Sequence, residues 1–164
     1  MSLIAEDKAI AVLSACRKAG IMIATAESCT GGLIAAALTD IAGSSDVVDR
    51  GFVTYSNEAK NEMISVPMSL IDSVGAVSKE VAIAMAEGAL AHSRAGISIA
   101  VTGVAGPGGG SDDKPVGLVH IASARKGYAT LHRECRFGPL SRADIRHATV
   151  LTAFDLALEK LKAS

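Results

Sequence analysis

The sequence predicts one α/β domain spanning residues 1–164, built as a three-layer α/β/α sandwich whose mostly parallel sheet carries an antiparallel hairpin at one edge. Three observations predict it. Short apolar runs of strand length alternate with segments of helical periodicity along the whole chain. Two β-rich runs, joined by Arg125-Lys126-Gly127, form a hairpin before a final helix. The 164 residues, 49% hydrophobic, suffice for one core and show no linker, repeat or composition break that would divide them.

The elements follow in order. In residues 3–19, Ala5, Ala9, Val12, Leu13 and Cys16 fall on one helix face, and Gly20 sits where a helix stops. Residues 20–24 form an apolar strand that opens into the turn TAESCTGG, and a helix then runs to about Ile41, closed by Gly43. GFVTYS, residues 51–56, alternates and is rich in β-formers. NEAKNEMISV reads as a short helix stopped before Pro67, and residues 68–73 as another. Ser78 caps a helix over residues 79–95 with Val81, Ala84, Met85, Gly88 and Ala89 inward. The apolar strand 97–103 flows into the glycine loop VTGVAGPGGGSDDKP, the hairpin strands are 117–124 and 128–137, and the last helix starts at Ser141 with Asp144 three residues on.

Composition excludes several classes. Sixteen basic and 17 acidic residues are well mixed and aromatics are only 3%, which argues against nucleic-acid binding by charge or stacking. No apolar run approaches the roughly 20 residues that span a bilayer, and the first helix lacks the form of a signal peptide. Cys16, Cys29 and Cys135 have no metal-ligand spacing and cannot all pair, so a reduced, cytoplasmic setting is expected, with no metal and no cofactor. The small-residue face of residues 82–91 suggests packing against another subunit, and a homo-oligomer is expected.

The chemistry concentrates at strand ends, where open α/β sheets gather ligands: AESCTGG, YSNEAK and TGVAGPGGG. Ser28 stands between a strand and a helix N-terminus, where free N–H groups favour negative charge. The turn is therefore either an anion cradle or a catalytic elbow. Glu27, Cys29 and Thr30 serve equally as cap and turn residues, while Gly31 and Gly32 allow a ligand close to the backbone. No Lys follows as in a P-loop, and the pattern is not G-x-S-x-G. Lys60, at the mouth of the second strand, is the natural base for Ser28 if partly desolvated. No histidine offers itself: His92 ends an apolar helix face as a core-edge residue, His120 falls in an edge strand, and His132 alternates outward. Tyr55 hydrogen-bonds the reacting groups, flanks a ring, or packs the sheet. Cys29 is a competing nucleophile. The loop holding Thr102, Gly103 and Gly106 can turn N–H groups toward one anion. Arg146 lies in the first turns of its helix, where a cation is disfavoured unless a phosphate or carboxylate offsets it; otherwise it pairs with Asp144 or solvent.

The ordered set TAESCTGG, DIAGSS, RGFVTYSNEAKNEMI, GAVSKEVA, VTGVAGPGGGSDDKPVG and DIRHAT resembles the C-terminal domain of the competence/damage-inducible CinA family, from about residue 5 to 160. The resemblance implies a nicotinamide-nucleotide amidohydrolase that converts nicotinamide mononucleotide to nicotinic acid mononucleotide and ammonia in pyridine nucleotide salvage. It implies Ser28 and Lys60 as catalytic serine and lysine, with Tyr55, Thr30, Thr102 and Arg146 at matching active-site positions. Longer members carry an N-terminal domain resembling molybdopterin-binding proteins; this chain begins at the first helix, so the stand-alone deamidase form is expected. The expected catalytic set is thus Ser28, Lys60 and Tyr55. The expected substrate-binding set is Glu27, Cys29, Thr30, Gly31, Gly32, Asn57, Thr102, Gly103, Gly106 and Arg146. The alternatives are thiol catalysis by Cys29 and a non-catalytic nucleotide-binding module linked to competence or DNA damage.

Overall fold

A computed structural model describes residues 2–162. Helix α1 (Leu3–Ala19) is capped by the Ser2 hydroxyl, which accepts from the Ala5 N–H at 3.2 Å, and it buries the expected face of Ala5, Ala9, Val12, Leu13 and Cys16. Strand β1 (Ile23–Glu27) leads through a turn to α2 (Leu33–Thr39), and β2 (Val48–Val53) leads to α3 (Asn57–Ile64). Helices α4 (Met68–Val74) and α5 (Lys79–Ala91) precede β3 (Ile97–Gly103). Strands β4 (Leu118–Arg125) and β5 (Leu131–Arg136) form the hairpin, and α6 (Arg142–Lys162) closes the fold. Among the described residues no helix is long and apolar enough to cross a membrane.

The sheet order is β2-β1-β3-β4-β5. β1 runs parallel to both β2 and β3, whereas β3–β4 and β4–β5 are antiparallel. The parallel part is therefore three strands. This topology decides where the site lies: β1, β2 and β3 end at one edge, and so does β5, which is antiparallel to β4. The turns after β1, β2 and β3 and the start of α6 consequently meet there.

The two faces differ in texture. On one, α1, α2 and α6 cover Ile23, Ile97, Ile99, Val101, Val119 and Ile121. On the other, α3, α4 and α5 cover Ala26, Ala100, Ala122 and Ala124. Small side chains on the second face let α5 lie close, and it answers with Ala82, Ala86 and Ala89, all fully buried. The approach is close enough for the Ser98 hydroxyl to donate to the α5 carbonyl of Ala86 at 2.6 Å. The small-residue face of residues 82–91, expected to meet another subunit, is thus used within the chain.

Several boundaries differ from expectation, and for β1, β2 and α5 the surroundings account for it; β5 also begins later, at Leu131 rather than 128. β1 continues through Thr25, Ala26 and Glu27 because it pairs on both sides, with Glu27 opposite Val53 and Val101. β2 lies three residues earlier than expected at both ends, because residues 54–56 leave the sheet to begin α3, whose N-cap Ser56 accepts from the Ala59 N–H at 3.0 Å. α5 ends at Ala91, four residues short, and its C-cap His92 is exposed and hydrogen-bonded to Ser65 rather than packed at the core edge. His120 is in an interior strand, almost fully buried, and its ring lies 2.9 Å from that of His132.

Gly88 fastens α3 to α5: a Cβ there would stand 2.1 Å from the Ile64 carbonyl oxygen. Alanine normally gains about 1 kcal/mol over glycine inside a helix, but forced overpacking costs about 1–3 kcal/mol. Gly88→Ala is expected to lower unfolding stability in urea, and a gain would show that α3 does not seat on α5 as described.

Candidate active site

Lys60 sits in the first turn of α3, and helical side chains lean back toward the N-terminus. Its amine therefore reaches the carbonyls that precede the helix. Nζ lies 2.9 Å from Thr54 O, 3.2 Å from Tyr55 O and 3.5 Å from Ser56 O. The remaining neighbour is the Ser28 Oγ, at 3.1 Å, at the end of β1. Lys60 is 1% exposed, and among the described residues no carboxylate pairs with it. Burial, opposed by the nearby Cys29 sulfur, holds its pKa below the ordinary 10.5. As the charged form Nζ donates to the carbonyls and to Ser28 Oγ; as the neutral amine, which burial favours, it keeps two N–H donors for the nearer carbonyls and can turn its lone pair to the serine hydroxyl.

The turn after Ser28, which reads from sequence as either an anion cradle or a catalytic elbow, has helix N–H groups that are already engaged. The Glu27 carboxylate folds over the start of α2, accepting from the N–H groups of Ile34 at 2.8 Å and Ala35 at 3.1 Å and from the Thr30 hydroxyl at 2.5 Å. The helix N-terminus is thus occupied by the chain's own anion. Glu27 and Thr30 are 1% and 0% exposed, so both brace the turn instead of facing a ligand. Gly31 and Gly32 also lie outside the cavity; their φ values of 56° and 110° bend the chain into α2. Arg146 likewise corrects its expectation. It pairs neither with Asp144 nor with open space, but donates to the backbone carbonyls of Cys29 and Thr30, each at 3.1 Å.

An open cavity of about 300 Å³ lies over Ser28, at the small end of ligand pockets. Cys29, Tyr55, Asn57, Thr102, Gly103 and Gly106 line it, together with Ala76, Val77 and the glycine loop. Cys29 is 6% exposed and burial pushes its thiol up to about 11, away from the reactive thiolate. The Thr102 hydroxyl donates to Ala76 O at 2.9 Å, fixing the wall before α5. Tyr55 stands at the rim, exposed, and its phenol oxygen accepts from Arg142 Nη2 at 3.2 Å. Its hydroxyl is thus engaged by Arg142, and it is the Tyr55 carbonyl that accepts from Lys60.

Arg142 is the residue that the sequence reading missed. It opens α6, lines the cavity, and donates from Nη1 to Gly106 O at 2.8 Å, so it links the glycine loop to Tyr55. A signal was available: it lies four residues before Arg146, on the same helix face. No histidine hydrogen-bonds Ser28, since His92 bonds Ser65, His120 bonds His132 and His147 bonds Ser2. Among the described residues no three His, Cys, Asp or Glu side chains form a group able to hold a metal.

The CinA C-terminal domain family matches residues 5–161. A CinA-like protein of Geobacter sulfurreducens is 48% identical over 155 residues, which is 94% of this chain and 37% of that protein. The crystal structure of the competence/damage inducible protein CihA from Agrobacterium tumefaciens is 53% identical, with a TM-score of 0.94 over 98% of this chain and 99% of that one. A competence-damaged protein (CinA) superfamily member from Enterobacter cloacae is 29% identical, with a TM-score of 0.91 over 99% of this chain and 95% of that one. The chain spans little more than a third of the length of the Geobacter relative. By sequence and by fold, this chain belongs to the CinA C-terminal domain family.

Proposed function

We propose that the domain is a serine–lysine amidohydrolase that removes the carboxamide nitrogen of nicotinamide mononucleotide, giving nicotinic acid mononucleotide and ammonia. The observation that carries this reading is the buried Lys60 amine 3.1 Å from Ser28 Oγ, with no carboxylate among the described residues paired to it. Neutral Lys60 takes the Ser28 proton while Oγ attacks the carboxamide carbon. The tetrahedral intermediate collapses, the C–N bond breaks, and ammonia leaves with the proton returned by Lys60. Water, deprotonated by the same amine, then releases the acid and restores Ser28.

The oxyanion requires backbone donors. Ile34 and Ala35 N–H are held by Glu27, and Gly31 N–H donates to Ser28 O at 3.0 Å, which leaves those of Cys29 and Thr30 nearest the nucleophile. The substrate phosphate goes to the other rim, where Arg142 and the glycine loop meet, because the helix N-terminus is already neutralised. Tyr55, pinned at its hydroxyl, offers its ring face to the pyridinium. The Cys29 rival loses ground on its raised pKa.

Three outcomes follow from this chemistry. Ser28→Ala and Lys60→Met should each cut ammonia release from nicotinamide mononucleotide by about 10³-fold or more, while Cys29→Ala stays within a few-fold; activity that survives Ser28→Ala and dies in Cys29→Ala would reverse the assignment. Arg142→Gln should raise KM for the mononucleotide about tenfold, the loss of roughly one charge-assisted hydrogen bond, and raise that for nicotinamide riboside much less, through the loosened Tyr55 alone. An equal rise for both substrates would place the phosphate elsewhere.

The third outcome concerns pH. Lys60 is depressed in the fold, so kcat should rise with pH through its lowered pKa and level off below 10.5. Stability has the same sign. Between the lowered pKa and 10.5 the unfolded chain binds more protons than the folded one, so this group's contribution rises with pH across that window. Lys60→Met should remove that slope from denaturant-unfolding curves, and an unchanged slope would mean that Lys60 is not depressed.

A further inference from the structure

Arg146 lies in the second turn of α6, one turn beyond Arg142 on the same face. The position disfavours a cation, and among the described residues no carboxylate pairs with it. Its guanidinium instead holds two successive backbone carbonyls, Cys29 O through Nε and Thr30 O through Nη2. These are the first two carbonyls after that of Ser28.

The Gly31 N–H bond to Ser28 O makes residues 28–31 a β-turn with Cys29 and Thr30 at its centre. The peptide between them can rotate as a unit, which interchanges type I and type II geometry. Because a trans peptide carries its C=O and N–H on opposite sides, that rotation swaps the Cys29 carbonyl with the Thr30 N–H. Type II needs positive φ at Thr30, and Ser65 is the one non-glycine residue with positive φ among those described. Arg146 therefore grips the carbonyl that this rotation would turn away.

We propose that Arg146 is a positioning residue for Ser28: by fixing the 29–30 peptide it sets the nucleophile and the N–H groups that follow it in their reactive orientation. This rests on Ser28 as nucleophile. A guanidinium suits the task because its planar fork serves two carbonyls at once, whereas an ammonium is a point charge. Orientation of the nucleophile enters the transition state and not ground-state binding, so the effect falls on kcat and spares KM.

The test measures Ser28 reactivity independently of the amide substrate. A fluorophosphonate probe phosphonylates serine, the Oγ–P bond forming as the P–F bond breaks and the Ser28 proton passing to Lys60, and the adduct is read by mass on the Ser28 peptide. In Arg146→Ala the labelling rate and kcat for nicotinamide mononucleotide are expected to fall tenfold or more, with KM within about threefold and the pH midpoint unmoved. Methylguanidinium should restore part of both rates, and Arg146→Lys should recover less than half of the loss. Circular dichroism and unfolding midpoints correct each rate for folded protein. Unchanged labelling, a rise in KM with labelling intact, or a loss that tracks only the folded fraction would each overturn the proposal. Wild-type protein labelled at Ser28 yet inert to the mononucleotide removes the substrate assignment while the labelling rates still decide the role of Arg146. Wild-type protein unlabelled at Ser28 removes the nucleophile, and the proposal falls with it.

Discussion

A lysine amine buried among backbone carbonyls is the constraint around which this domain is arranged. A buried amine must have its N–H groups satisfied and is costly to keep charged without a counter-ion, so Lys60 needs a polar cage, and the cage is made of main chain. Supplying it requires residues 54–56 to leave the sheet, which ends β2 at Val53, and requires α3 to start at Asn57 so that the first-turn lysine leans back over those carbonyls. The helix that carries it is then held by contact with α5 at Gly88. Strand end, helix start and helix packing all serve one side chain, and that side chain ends at Ser28.

Electrostatics around the site divide cleanly. Glu27 caps the start of α2, so the N–H groups of Ile34 and Ala35 are not open to a ligand. The positive charge available to a ligand sits across the cavity on Arg142. Arg146, one helical turn along, has the same charge but faces the backbone of the turn instead of the cavity. Two arginines on one face of α6 thus take different work because one projects beyond the turn that the other grips.

Much of this was legible in the sequence. The apolar face of α1, the short α3 ahead of Pro67 and the buried β3 follow from periodicity and punctuation alone, and the pairing of Ser28 with Lys60 follows from where two strands end. Other parts were settled by tertiary contacts. Thr25 and Glu27 look like turn residues, yet they complete a central strand because Glu27 finds the α2 N-terminus. Ala82, Ala86 and Ala89 look like an interface, yet they meet an equally small-faced sheet. Arg142 carries only a faint local signal, its i, i+4 spacing to Arg146; the direction of β5 is what shows that α6 begins at the edge where the other strands end.

The charge state of Lys60 decides whether Ser28 has a base. Selective 13C and 15N labelling of lysine, with the Lys60 resonance identified by its loss in Lys60→Met, allows the amine to be titrated by NMR in the intact protein. A midpoint well below 10.5, with a neutral-amine shift on its alkaline side, is the predicted result. A Lys60 that remains an ammonium up to 10.5 or beyond would contradict it and leave Ser28 without a base.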